Sequence, residues 1–159
     1  MNLLLVEGLA FTFSYGYLDT ELGESALTTD LGLSEVLSED LPYAPDHSFF
    51  SALDYTRSLG PGTLGVNVNY GWQDDVGTSV TDNGNFVVDS YVLLGAAVRW
   101  SELSLGTITG QFRLLLWGRN LLDEEYGLSG QTALEPLGAD LTQIFGEPRT
   151  SGVTLSYPY

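Results

Sequence analysis

The side chains that could do chemistry are few, and their spacing does not form a catalytic group. His47 is the only histidine, and no serine or cysteine nucleophile motif accompanies it, so a structural or solvated role is the favoured interpretation. The chain has no cysteine, which excludes a disulfide framework, a thiol nucleophile and a thiolate metal site. The sequence holds no phosphate-binding glycine loop. We therefore predict no catalytic residue, no cofactor and no enzymatic activity.

Two acidic groups could supply oxygen ligands to calcium, namely Asp74–Asp75 and Asp123–Glu124–Glu125. Neither has the spacing of a dedicated calcium loop, so no metal site is predicted and a solvated acidic rim is favoured; calcium binding stays open. Asn120 and Asp123 are expected to end a strand and to order the turn that follows. Arg149 is expected to pair with acids of the connecting segments.

The basic residues are all arginine, five in number, and the formal charge of the chain is −16. Nucleic acid is therefore not expected as a partner, because a polyanion would be repelled. Arg99 and Arg113 fall on the small-residue side of two predicted strands. They could attract an anionic ligand, but internal pairing with Asp89 is the favoured interpretation.

Alternation with a period of two runs through most of the chain and indicates β-strands. Bulky aliphatic or aromatic residues alternate with glycine and small polar residues, and arginine is occasional on the second side. Each stretch is about ten residues long, which is the length that a tilted strand needs to cross a bilayer. A soluble sandwich would carry a charged second face. The six stretches are 8–18, 47–57, 62–72, 88–100, 110–120 and 147–159.

The connections between these stretches alternate in length. Residues 18–47, 73–86 and 121–149 form long links, which hold 17 of the 21 acidic residues, whereas 58–63 and 101–110 are short. This asymmetry is typical of outer-membrane barrels, which have long loops outside and brief turns in the periplasm. One helical turn is possible at Ser34–Leu41. Aromatic residues suited to an interfacial girdle lie towards the strand ends: Tyr15, Tyr17, Tyr70, Trp72 and Trp100.

Three stretches together resemble the TonB-dependent outer-membrane receptors. The stretch "LPYAPDHSFFSALDYT" (residues 41–56) resembles the strand entry "LPxAPxHxxxxxxxY" of that family, and "LWGRNLLDEEYG" (116–127) is similar to its "NLxDxxY" segment. The end, "GEPRTSGVTLSYPY" (146–159), resembles the terminal strand of those barrels. The likeness runs in this order from about Gly8 to Tyr159.

This resemblance implies that residues 1–159 are the C-terminal segment of a receptor barrel that imports a scarce nutrient of the siderophore-iron, cobalamin or carbohydrate class. The plug domain and the signal peptide are absent from the sequence, and six strands are too few to close around a lumen. We therefore expect a fragment or a truncated reading frame. The favoured pairing of Arg99 and Arg113 is then with Asp89 or with a plug carboxylate.

The expected architecture is all-β, an antiparallel meander of about six long transmembrane strands within an outer-membrane β-barrel. The resemblance implies localisation in the Gram-negative outer membrane with a periplasmic C-terminus. It also implies several partners: outer-membrane lipid, the barrel assembly machinery through the terminal strand, the remainder of the receptor with its plug, TonB through that plug, and a small nutrient ligand.

Two alternatives remain open. One is a non-transporting structural remnant that associates through its open edges. The other is a soluble β-sandwich binding module, in which the bulky faces would have to meet each other. The sequence leaves the imported ligand and the oligomeric state undetermined.

Overall fold

The computed structural model describes residues 1–21, 41–60, 62–79, 86–103, 112–132 and 141–157. The possible helical turn at Ser34–Leu41 and the terminal Tyr159 lie outside these ranges, apart from Leu41 itself. Within them the chain is all-β and antiparallel, and no helix long and apolar enough to cross a membrane is present. The all-β antiparallel prediction is confirmed.

Eleven strands are formed by the described residues, and seven of them make the main sheet. The main sheet has the order β1-β2-β3-β4-β7-β8-β11, and β5 pairs with β6 and β9 with β10 in two small ribbons. The sheet is not closed, because β1 and β11 lie at opposite edges. The bounds are β1 Asn2–Val6, β2 Leu9–Tyr17, β3 His47–Leu59, β4 Gly62–Gln73, β5 Val76–Gly77, β6 Val87–Val88, β7 Tyr91–Leu103, β8 Phe112–Arg119, β9 Gly127–Thr132, β10 Leu141–Phe145 and β11 Thr150–Ser156.

The six predicted strands correspond to β2, β3, β4, β7, β8 and β11, and β1 is an addition to the prediction. It forms because Gly8, with φ of 80°, makes a tight turn that only glycine adopts easily. A side chain at Gly8 would also collide with the carbonyl of Thr56, whose N–H donates to the Gly8 carbonyl over 2.7 Å. The run from Leu3 to Val6 is apolar without alternation and carries a register shift between Leu4 and Val6, so it lacks the period-two signature.

The pairing registers place most of the bulky residues of the six predicted strands on one side of the sheet, and the exceptions on the other side include Phe50, Leu93, Leu115 and Trp117. Directly opposite pairs include Phe11 with Leu53, Val66 with Val98, and Leu116 with Val153. Residues that face each other across neighbouring strands share a face of the sheet. We call this side the bulky face and the other side, which carries Gly65, Asn67, Asn69 and Arg99 among others, the polar face.

The two ends of the sheet differ as the link lengths predict. At one end, the short-turn end, β1 joins β2 through Glu7–Gly8 and β3 approaches β4 at Gly60. The other end, the long-connection end, carries segment 41–46 and the two ribbons β5–β6 and β9–β10. These pieces pack on one another: the Tyr43 hydroxyl lies 2.8 Å from Ser129 Oγ, and Thr78 donates to the Gly130 carbonyl over 3.1 Å.

Few apolar side chains are buried among the described residues. Val76 and Val88 are buried where the connections pack, and Ala52 is buried within the sheet. A compact core is therefore confined to the long-connection end, and the seven-stranded sheet carries its large apolar side chains on an open surface.

Candidate functional site: the polar face

The bulky face is exposed over much of its extent. Tyr17, Val153 and Leu155 are 63%, 68% and 68% exposed, and neither ribbon forms a second layer across the sheet. Near the long-connection end, aromatic rings pack against one another across three strands, and Phe49 on β3 lies 6.3 Å from Phe13 on β2 between ring centroids. Phe49 lies 5.6 Å from both Tyr70 and Trp72, measured between ring centroids. The alternation therefore produces one continuous apolar surface that the described residues leave uncovered.

His47 belongs to this aromatic surface. Its ring stacks on Tyr17 with centroids 5.2 Å apart, and its Nδ1 lies 2.8 Å from the Tyr15 hydroxyl. His47 begins β3, and its backbone carbonyl accepts the N–H of Asp74. These contacts give His47 a structural role at the strand end, as the sequence favoured.

The polar face carries a chain of hydrogen-bonded side chains across its middle. Asn69 Nδ2 donates to Asn67 Oδ1 over 3.0 Å, and Asn67 Nδ2 donates to Asp54 Oδ1 over 2.7 Å. Asn69 lies over Gly95, where a Cβ would come within 2.7 Å of its Oδ1. Glycine at 95 therefore leaves the room that the amide needs.

Arg99 and Arg113 both lie on the polar face, as predicted from their strand positions. Arg99 faces Gly65, and Arg113 is paired in register with Ser156. The favoured pairing with Asp89 is wrong, since neither arginine forms an ion pair with a described residue. The physical reason is distance: Asp89 precedes β7 at the long-connection end, and an extended chain carries Arg99 about 30 Å away from it.

A clamp of polar contacts joins the end of β8 to the segment that enters β11. Asn120 is buried, accepts the Glu124 N–H over 2.9 Å, and donates to the carbonyls of Glu124 and Glu147 over 2.8 and 3.0 Å. Asn120 and Asp123 have φ of 47° and 60°, which short polar side chains tolerate. The predicted role of both residues in ordering this turn is confirmed.

The clamp also contains two ion pairs. Arg149 Nη2 lies 3.1 Å from Asp123 Oδ2, which confirms the expected pairing of Arg149 with a loop acid. Arg119 Nη1 lies 3.5 Å from Glu147 Oε2, and its guanidinium is 5.6 Å from the centroid of Trp117. Both pairs are solvent-exposed, so they add local order more than stability.

Two of the acidic residues considered for calcium are engaged by other groups of the chain. Asp74 Oδ1 accepts the Asp75 N–H over 3.1 Å, and Asp123 is engaged by Arg149. In the part of the chain that the structure describes, no three histidine or acidic side chains are grouped so as to hold a metal ion.

A concavity of about 510 Å³ opens on the polar face below the clamp. It lies where β8 ends: β8 pairs with β7 as far as Gly118 and Ala96, and beyond Arg119 the chain keeps one backbone hydrogen bond to β7, from the Leu121 N–H to the Leu94 carbonyl. Its volume lies within the range of ~300–1,000 Å³ that small-molecule sites occupy. The lining includes Asn69, Gly95, Trp117, Arg119, Tyr126 and Glu147. The sequence does not predict this concavity, because its lining combines residues of three strands and of the clamp that are distant in sequence.

Comparison of the chain with models of protein families, with curated proteins and with solved structures found no match in any of the three.

Proposed function

We propose that this chain is the C-terminal part of a TonB-dependent outer-membrane receptor barrel. Within the whole barrel it forms part of the wall, and the whole receptor takes up a scarce nutrient of the siderophore-iron, cobalamin or carbohydrate class. The observation that carries the proposal is the exposed bulky face opposite a polar face. Apolar outward and polar inward residues alternate in this way along the strands of membrane barrels.

The dimensions of the bulky face support the proposal. Leu64 to Trp72 on β4 spans eight residue steps, about 27 Å along the strand. A strand tilt of about 40° reduces this to about 20 Å along the membrane normal, close to the apolar band of about 25 Å on known barrels. The rings of Tyr17 and His47, which stack on each other, and the ring of Trp72, which packs against Phe49, lie at one end of this span, where aromatic girdles occur.

A second candidate is a non-transporting remnant of such a barrel. It is favoured by the open edges: β1 and β11 each present one row of backbone groups that no described strand pairs. Exposed edges of this kind associate with other strands. The remnant shares the membrane-facing surface with the first candidate and differs in lacking transport.

The three tryptophans allow a direct test of which face meets lipid. Trp72 and Trp100 lie on the bulky face, whereas Trp117 lies on the polar face. Three variants, each retaining one tryptophan and carrying phenylalanine at the other two positions, are placed in phosphocholine micelles that contain phosphatidylcholine with brominated acyl chains. Bromine quenches tryptophan emission only at short range.

Strong quenching of Trp72 and Trp100 with weak quenching of Trp117 is the expected result. The soluble β-sandwich predicts that the chain stays monomeric without detergent and that none of the three is quenched, which would overturn the proposal. Quenching of Trp117 equal to that of Trp72 would also contradict it, because the polar face would then not be separated from acyl chains.

A further inference from the structure

The concavity below the clamp offers both donors and acceptors of hydrogen bonds. Asn69 Nδ2 donates to Asn67 Oδ1, and Asn69 Oδ1 accepts no hydrogen bond from the described residues, so it is available as an acceptor. The Tyr126 hydroxyl accepts the Glu147 N–H over 3.2 Å, so its own proton remains available to donate. Hydroxyl groups on a ligand can donate one hydrogen bond and accept others, so they match a site that offers both a free acceptor and a free donor.

The charge around the concavity disfavours an anion. Among the described residues that line the concavity, Arg119 is the only cation, and the carboxylate of Glu147 lies 3.5 Å from it, so the pair is neutral in sum. A neighbouring cleft, which shares Tyr126 with the concavity, is lined by Asp89, Glu124 and Glu125. An anionic ligand would meet repulsion from these groups, while a neutral ligand would not.

Apolar side chains make up much of the remaining lining, with aliphatic Leu93 and Leu115 beside the aromatic rings of Trp117 and Tyr126. Trp117 packs over Gly152, where a Cβ would lie 2.6 Å from the indole, and Tyr126 lies 4.5 Å from Tyr91 between ring centroids. Such rings combine an apolar body with a polar tip. They suit the C–H face of a sugar ring, whose hydroxyl groups point to the side.

Resting on the proposed function, we propose that this concavity binds a neutral polyhydroxylated ligand of the oligosaccharide class, and not an anionic metal chelate. The site lies on the polar face at the long-connection end, and it is formed by strands β4, β7 and β8 together with the clamp. Amide, hydroxyl and ion-paired groups hold the ligand hydroxyls, and Trp117 contributes apolar contact.

The test uses the full chain in phosphocholine micelles and the variant Trp72→Phe/Trp100→Phe, in which Trp117 alone reports. The neutral probes are maltotriose and cellotriose, and the anionic probe is gallium citrate, a colourless stand-in for a ferric chelate. A saturable change of Trp117 emission with at least one trisaccharide, and none with gallium citrate, is expected. Binding of gallium citrate alone, or of no probe, overturns the proposal.

Two substitutions address the groups that touch the ligand. Asn69→Leu and Tyr126→Phe are each expected to weaken trisaccharide binding about fivefold to tenfold, as the loss of one neutral hydrogen bond predicts. Thr12→Val, on the polar face of β2 and outside the concavity, is the matched control and is expected to bind within about twofold of the parent. If all three variants bind the trisaccharide equally and circular dichroism shows each to be folded, the assignment of the ligand site to this concavity is overturned.

The lipid-quenching measurement on Trp72 and Trp100 separates the two proposals. Quenching without trisaccharide binding overturns the oligosaccharide site and leaves the receptor proposal standing. Absence of quenching overturns the receptor proposal whatever the titrations give.

Discussion

Asn120 donates a hydrogen bond to the backbone carbonyl of Glu147 over 3.0 Å, and this contact joins the end of β8 to the segment that enters β11. The two strands then pair from Arg119 with Thr150 to Arg113 with Ser156. Because the contact fixes the chain three residues before Thr150, it helps to set the register of the edge strand.

Replacing Asn120 with alanine should therefore be costly. The change removes three hydrogen bonds at a residue that is 5% exposed and places a Cβ-bearing apolar residue at φ of 47°. We expect a loss of about 2–4 kcal/mol in the free energy of unfolding, measured by urea titration in micelles. Leu122→Ala, at an exposed position in the same turn, is the control and should change little.

Asn120→Gly separates the backbone contribution from the side-chain contribution. Glycine adopts positive φ freely, so this variant should be about 1 kcal/mol more stable than Asn120→Ala. If Asn120→Ala lost no more stability than Leu122→Ala, the buried amide would not stabilise the turn.

The ion pair between Arg149 and Asp123 should contribute little. Both side chains are about half exposed, at 54% and 53%, although the N–O distance is 3.1 Å. A double-mutant cycle with Arg149→Ala and Asp123→Ala should give a coupling free energy below about 1 kcal/mol, decreasing in high salt. A larger coupling that salt does not reduce would contradict this expectation.

Gly152 should not accept a side chain, because the Trp117 indole occupies the space. An ideal Cβ at Gly152 would lie 2.6 Å from Trp117 Cζ2. Gly152→Ala should therefore destabilise the chain by about 1–3 kcal/mol through overpacking. In the double variant with Trp117→Ala the additional cost of Gly152→Ala should largely disappear.

The matched control for this prediction is Gly71→Ala. Gly71 is also on the polar face, and a Cβ there would meet its nearest atoms at 3.9 and 4.0 Å, which is ordinary contact. Alanine should be tolerated or slightly stabilising at this position. Equal effects of Gly152→Ala and Gly71→Ala would show that the indole moves aside without cost.

How much of this structure the sequence predicts depends on how each element is stabilised. Strict alternation in Leu9–Tyr17 and Leu64–Trp72 predicts β2 and β4. Bulky residues occupy every second position, so in an extended strand they all lie on one face, with glycine and small polar residues on the other. The ribbon β9–β10 has no such pattern. It is held by packing of Gly127 beside Val88 and of Gly130 against Phe86, residues distant in sequence.

The candidate site shows the same division. The turn at Asn120 and Asp123 is predictable, because their preference for positive φ is local. The predicted pairing of arginine with Asp89 fails because it considers residue type without distance along an extended strand. The concavity combines residues of β4, β7, β8 and the clamp, and no local sequence pattern shows that these residues meet.

The absence of cysteine allows the two faces to be compared at neighbouring residues of one strand. Ala97 lies on the polar face opposite Asn67, and Val98 lies on the bulky face opposite Val66. With each converted to cysteine in turn, every label reports a single site. In micelles, Ala97→Cys should react several-fold faster with a charged, water-soluble maleimide than Val98→Cys, because alkyl chains exclude the reagent from the bulky face.

The same pair in urea without detergent serves as the control, where the two rates should converge. A faster reaction at Val98→Cys in micelles would mean that the bulky face is in contact with water, and the membrane-facing assignment would be wrong.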